Sequence, residues 1–179
     1  MKGQEDKEQG RFISPSRIPN FGYIILRPRA GGVIHTEIMV IRPGIEVASL
    51  TDVGCARENN EDYFCYWEPE TEEQFAQKGR VAVIADGMGG YEGGQEASRL
   101  AVESVLEAYG SAAGDPQAAL LAGLQTAHER IREYGSAHPQ LSGMGTTCTA
   151  LALNGEQLHF AHVGDSRLYL VRGREILRL

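Results

Sequence analysis

The sequence has no long apolar run. Its uninterrupted apolar stretches, such as Val81 to Ala85, are far too short to span a bilayer. The N-terminus, MKGQEDKEQGR, mixes charges of both signs and has no apolar core segment, which argues against a secretory signal. Cysteine is scarce and odd in number: Cys55, Cys65 and Cys148 form no CxxC pair, so neither a disulfide framework nor a zinc site is indicated. Reduced thiols in a cytoplasmic protein are the expected reading. A GK[ST] phosphate-loop ending is missing, as is the βαβ context it needs, which removes the nucleotide-binding reading of the glycine-rich segment. There is no internal repeat.

What is present is an ordinary globular composition, 42% hydrophobic and 23% charged, in a chain long enough for one domain with a sizeable core. The net charge of −7 is unevenly spread. Residues 1–45 hold seven Lys/Arg against four Asp/Glu, while residues 46–179 hold ten against twenty. A domain that acidic repels nucleic-acid phosphates, so no nucleic-acid partner is expected. The same carboxylates suit divalent cations, although an acidic surface alone is usually just a solvated one.

Four of the seven prolines lie within residues 1–45, where hydrophobic periodicity is weak. Residues 1–44 therefore read as a poorly ordered, dispensable extension, with Met39 as an alternative start just ahead of the patterned region. The folded part, 45–179, is expected to open with strands at Val47 to Val53 and Tyr63 to Trp67. An acidic loop (EPETEEQFAQKG) follows, then a buried strand from Arg80 to Ala85 that ends abruptly at DGMGG. A helix stripe of Ala97, Leu100, Ala101, Ser104 and Val105 closes at Gly110. A second helix opens on Asp115-Pro116, carries Leu120, Leu124, Ala127 and Ile131, and ends by Gly135 and Pro139. Strands at Thr146 to Leu153, Gln157 to Val163 and Arg167 to Val171 finish the chain, the first two joined by an Asn154-Gly155 turn. This order predicts sheets with helices packed outside them.

Three segments carry chemistry. In ADGMGG, Ala85 to Gly90, a buried strand delivers Asp86 to its end, and glycines follow where side chains would block a ligand's approach. Asp86 can bridge two hard cations and the Gly87 carbonyl can add an oxygen ligand; alone, such a segment is equally an ordinary turn. In RENNED, Arg57 has the planar fork that holds a phosphate, and Glu61 and Asp62 can bind metal directly or through water. Taken singly that is a solvated loop. In HVGDSR, Asp165 sits in a glycine-containing turn whose plain reading is structural. His159 and His162 lie at strand positions and are expected to be structural; His128 and His138 are expected to face solvent.

In this order and spacing, TDVGCARENNED, ADGMGG, GMGTTCTAL and HVGDSRLYLVR resemble the protein phosphatase 2C family, also called PPM-type phosphatases, and the bacterial branch in particular. The resemblance runs from about Ile45 to Leu179. It implies an α+β fold, a four-layer α-β-β-α sandwich, incomplete at the C-terminus. It also implies metal-dependent hydrolysis of phosphoserine and phosphothreonine in proteins, with two Mn2+ or Mg2+ ions and a third, weaker one. By the same analogy Asp86 bridges the metals, Gly87 lends its carbonyl, Glu61 and Asp62 hold metal or its waters, Asp165 belongs to the third site, and Arg57 clamps the substrate phosphate. A bacterial serine/threonine kinase is an implied partner.

Two departures follow from the resemblance. Met88 and Tyr91 stand where relatives carry histidine, so the general acid is not evident. The family's distal metal-binding aspartates, in SDG-type and DN-type motifs, have no counterpart after Asp165. The 179-residue chain is therefore expected to be inactive alone, with apolar faces such as Val81, Val83, Leu151 and Leu153 incompletely covered. The alternative is a non-catalytic module that binds phosphoproteins or a partner kinase.

Overall fold

The computed structural model describes residues 42, 45, 47, 49, 51, 59–89 and 92–179. Arg57, Tyr91, most of the strand expected over Val47 to Val53, and all of the extension 1–44 except Arg42 lie outside the described residues. The elements are β1 (Asp62–Trp67), α1 (Glu72–Lys78), β2 (Arg80–Met88), α2 (Gly93–Ser111) and α3 (Pro116–Ala137). After a short 3-10 turn come β3 (Gly145–Thr146), β4 (Cys148–Asn154), β5 (Gln157–Val163), β6 (Tyr169–Arg172) and β7 (Glu175–Arg178).

β2 is the organising strand. Its alternation buries Val81, Val83, Ala85 and Gly87 on one face and turns Ile84, Asp86 and Met88 outward on the other. It pairs antiparallel with β1 on one side and with β4 on the other, and β5 continues the sheet beyond β4. The two helices pack on the first face. Small residues make this possible: Ala150 and Ala152 of β4 and Ala97, Ala101, Ser98 and Ser104 of α2 let the layers approach closely. At the helix crossing, a Cβ on Gly123 would stand 2.8 Å from the Val105 Cα, so only glycine fits there. Burial of Leu120, Val102, Val105, Val81 and Val83 supplies the apolar core.

Caps fix the helix ends. Asp115 accepts from the N–H groups of Gln117 and Ala118 at 3.2 Å each, as its place before Pro116 predicts. The C-terminus of α2 is closed by a residue from another element. Lys78 Nζ donates to the carbonyls of Tyr109, Gly110 and Ala112, and the Tyr109 hydroxyl donates back to the Lys78 carbonyl at 2.8 Å.

Several expectations are corrected. The acidic loop contains α1, capped by Thr71, which accepts from the Gln74 N–H at 3.2 Å. β2 does not stop at Ala85 but runs to Met88, because Gly87 and Met88 pair with Thr146 and Gly145 of β3. Gly110 and Gly135 lie inside their helices rather than closing them. The strand read as Thr146 to Leu153 breaks at Thr147 into β3 and β4. His138 is half-buried: its backbone caps α3 on the Tyr134 carbonyl and its ring stacks on Tyr134 at 4.1 Å. Val81 and Val83 are fully covered by the helices, and Ile84, Met88 and Phe160 are exposed apolar side chains of the sheet's outer face.

The second sheet is the β6–β7 hairpin, turned at Gly173 with φ 61°. It leaves a groove of about 520 Å³ against the outer face of β2 and β4, lined by Ala82, Ile84, Leu151, Tyr169, Val171 and Ile176. Helix layer, sheet and hairpin are thus three of the layers that the resemblance implies. No described helix is long and apolar enough to cross a membrane.

Candidate metal centre

The register of β1 against β2 sets Asp62 directly opposite Asp86. Directly paired residues project to the same face, with Cβ atoms about 5 Å apart. Asp86 shares the outward face of β2 with Ile84 and Met88 and is exposed. Two like charges opposite one another destabilise a strand pair unless something positive lies between them. Asp62 is held in place locally. Thr51 Oγ1 donates to Asp62 Oδ2 at 2.7 Å, Asn60 Nδ2 donates to Thr51 Oγ1 at 2.9 Å, and the Asp62 N–H donates to Asn60 Oδ1 at 3.0 Å.

Glu61, its sequence neighbour, goes the other way. It lies opposite Gly87, whose N–H donates to the Glu61 carbonyl at 3.1 Å, and it is 8% exposed. A Cβ on Gly94 would stand 2.8 Å from the Glu61 carboxyl carbon, and one on Gly87 would stand 2.0 Å from the Gly94 carbonyl oxygen. The Glu61 carboxylate therefore rests against the first turn of α2, where backbone N–H groups and the helix dipole favour an anion. Both glycines are required by this close contact between the end of β2 and the start of α2.

The Asp165 turn reaches the same corner through Thr147. The Asp86 N–H donates to Thr147 Oγ1 at 3.1 Å, and the Thr147 N–H donates to the Asp86 carbonyl at 2.9 Å. Thr147 Oγ1 is also 2.8 Å from Ser166 Oγ. Gly164, at φ +106°, packs so closely that a Cβ there would lie 2.7 Å from Thr147 Cγ2. His162 braces the turn, with Nδ1 2.8 Å from Thr149 Oγ1 and Nε2 3.1 Å from the Gly164 carbonyl oxygen. That is the structural role expected of it. Asp165 itself is exposed.

Met88, 62% exposed, stands two residues beyond Asp86 and has no proton to donate. Beneath it, buried Met144 wedges between Gly89, Gly93 and Gly135 and ties the glycine segment to both long helices.

The site thus gathers Asp62 and Asp86 on one face and Gly87 and Glu61 on the other side of the same strand ends, with Ser166, the neighbour of Asp165, two hydrogen bonds from Asp86. The oxygen-only chemistry fits a hard cation such as Mg2+ or Mn2+. The opposed carboxylates fit best of all, since a cation between them removes their repulsion. Among the described residues, no group of three or more His, Cys, Asp or Glu is gathered tightly enough to hold an ion. A cation site here would need donors beyond this pair. Thr147 is the residue that sequence reasoning missed: it sat in GMGTTCTAL with no role attached, and only its contacts reveal one.

Comparison with known proteins identifies the family. A protein phosphatase 2C family profile matches residues 57–179. The serine/threonine protein phosphatase PstP of Mycobacterium tuberculosis is 33% identical over 136 residues, covering 75% of this chain and 24% of PstP. The protein phosphatase PhpP of Streptococcus pneumoniae is 34% identical over 140 residues, covering 75% of this chain and 54% of PhpP. The chain thus spans about half the length, or less, of the curated relatives it matches. Among solved structures, the catalytic domain of PstP in complex with two manganese ions superposes with a TM-score of 0.58 at 34% identity, covering 70% of this chain and 50% of that one. The Streptococcus agalactiae serine/threonine phosphatase gives 0.60 at 31% identity, covering 73% and 52%. Matched in its profile, its relatives and its fold, the chain belongs to the protein phosphatase 2C family.

Proposed function

We propose that this chain carries the proximal half of the catalytic centre of a metal-dependent phosphoserine/phosphothreonine protein phosphatase. The observation that carries the reading is the Asp62–Asp86 pair, two carboxylates in direct register at the end of the central strand. When bound, two divalent cations would supply an activated water and neutralise the charge of the substrate phosphate. Asp86 and, opposite it, Asp62 would hold them. The Gly87 carbonyl and, from the other side of the strand end, Glu61 would add further donors, and Asp165 would hold a third, weaker ion. Arg57 takes the substrate phosphate in its planar fork and orients it for in-line attack. Met88 carries no titratable group and cannot itself protonate the leaving oxygen. The positive charge of bound cations also lets so acidic a domain accept an anionic phosphoprotein. The relatives are named as protein phosphatases, which supports phosphoproteins as the substrate class; a bacterial serine/threonine kinase is the opposing enzyme this reading proposes.

The second reading is a phosphatase-like module that binds phosphoproteins without hydrolysing them. It is favoured by the absence of any tight three-ligand cluster among the described residues. For the same reason, the 179-residue chain is expected to turn over phosphate esters only in traces. Release of phosphate from a phosphothreonine peptide, even in traces, separates the two. The phosphatase reading requires hydrolysis that depends on Mn2+ and is lost in EDTA; peptide binding with no hydrolysis favours the module.

A further inference from the structure

We propose that Thr147 is the positioning residue of this centre: its hydroxyl sets the main chain at Asp86 and ties it to the Asp165–Ser166 turn. The inference rests on the phosphatase reading for its consequence and on geometry alone for its substance. Thr147 lies at the break between β3 and β4, where the ladder along β2 is interrupted. At that interruption the side chain replaces the missing ladder contact. Thr147 Oγ1 takes the Asp86 N–H at 3.1 Å, while the Thr147 N–H returns a bond to the Asp86 carbonyl at 2.9 Å. This two-point contact restrains the backbone on both sides of the Asp86 Cα, and with it the origin of the carboxylate. The hydroxyl also meets Ser166 Oγ at 2.8 Å, one residue from Asp165. A single side-chain oxygen therefore links two acidic segments that lie 79 positions apart in the sequence. The methyl group has a separate duty, packing under Gly164. The two duties can be separated experimentally, because Val keeps the methyl and removes the hydroxyl, whereas Ser does the reverse.

Two readouts are needed, one of them independent of metal. In the metal-free protein, amide hydrogen exchange at Asp86 reports the Thr147 bond directly. Thr147→Val should speed that exchange about tenfold relative to Ala85, the effect of losing one ordinary hydrogen bond, while Thr147→Ser stays within about twofold of wild type. Mn2+ titration should then show a Kd about tenfold weaker for the Val variant and near wild type for Ser, if the restrained backbone is what presents the carboxylate. Wild-type exchange at Asp86 in Thr147→Val overturns the proposal, as does a Ser variant that exchanges as fast as Val. If Thr147→Val does not fold, Ser166→Ala takes its place. Freed of its second partner, the Thr147 hydroxyl holds Asp86 less firmly and exchange rises a few fold; unchanged exchange overturns the proposal. A wild-type protein that binds no Mn2+ refutes the phosphatase reading, and the exchange result still decides the role of Thr147.

Discussion

Asp62 and Asp86 face one another in direct register across β1 and β2, two carboxylates on one face of the sheet. A cation bound between two opposed carboxylates stabilises the fold that holds it. Asp86→Asn should therefore remove the stabilisation that Mn2+ gives the wild type. Urea denaturation in EDTA and in millimolar Mn2+ reads the effect. A variant that Mn2+ stabilises as much as wild type would contradict it.

Two glycines of α2 should respond to alanine with opposite signs. At Gly110 the nearest atom to a new Cβ is Trp67 Cζ2 at 4.0 Å, so Gly110→Ala gains the ordinary helix preference of about 0.5–1 kcal/mol. At Gly94 the new Cβ meets the Glu61 carboxyl carbon at 2.8 Å and the backbone of Gly87 and Met88 at 2.9 Å. Gly94→Ala should cost about 1–3 kcal/mol by overpacking and weaken Mn2+ binding by displacing the end of β2. Thermal melts of the pair check the contrast; two shifts of the same sign would contradict the contact.

Arg42 is anchored where residues 1–44 otherwise lie outside the described set. Its guanidinium lies over the Phe75 ring at 4.6 Å and bonds Glu68, Glu72 and the carbonyls of Pro69 and Glu70. Arg80 reaches Glu68 at 3.3 Å and lies over the same ring at 4.9 Å. A chain beginning at Met39 should melt within a few degrees of wild type, whereas one beginning at Ile45 should lose several degrees. Equal melting temperatures would leave the Arg42 contacts without weight.

The same cluster has a pH signature. Burial pushes the Glu68 carboxyl up, but hydrogen bonds from Tyr66, Arg42 and Arg80 outweigh it and hold the group below its ordinary value. A carboxyl depressed in the folded state contributes stability above its unfolded pKa and loses it as pH falls through the folded one. The stability gap between wild type and Glu68→Gln should be constant from pH 8 to about 5 and shrink below about 4. A gap that widens on acidification would contradict the sign.

Arg57, outside the described residues, is assigned to the substrate. Its fork recognises phosphate, and its charge opposes cation binding. Arg57→Ala should raise KM for a phosphopeptide about tenfold or more, the value of losing a charge-assisted bond, with Mn2+ affinity unchanged. Lost Mn2+ affinity at an unaltered KM would remove it from that role.

Local signals were legible and long-range ones were not. The Asn154-Gly155 hairpin, the Asp115-Pro116 helix start and the stripe through Ala97, Ala101 and Val105 are written in neighbouring residues, and all three are present. Helix α1 was hidden because its sole large apolar residue, Phe75, is held by the guanidinium groups of Arg42 and Arg80 instead of by a periodic apolar face. The glycines of DGMGG read as a turn, yet pairing with Gly145 and Thr146 keeps β2 extended to Met88. The candidate residues were legible as a set, but their arrangement was not. Strand alternation sends Asp62 and Glu61 to opposite sides, and Thr147 acquires its role only from contacts with Asp86 and Ser166.

The central claim, that Asp62 and Asp86 form one edge of a divalent-cation site, is tested most directly by Mn2+ titration of the protein. Paramagnetic resonance of the free ion follows binding to the wild type, Asp62→Asn and Asp86→Asn. Binding to the wild type that is weakened in Asp62→Asn and lost in Asp86→Asn is the predicted result. Equal Mn2+ binding by all three proteins would contradict it.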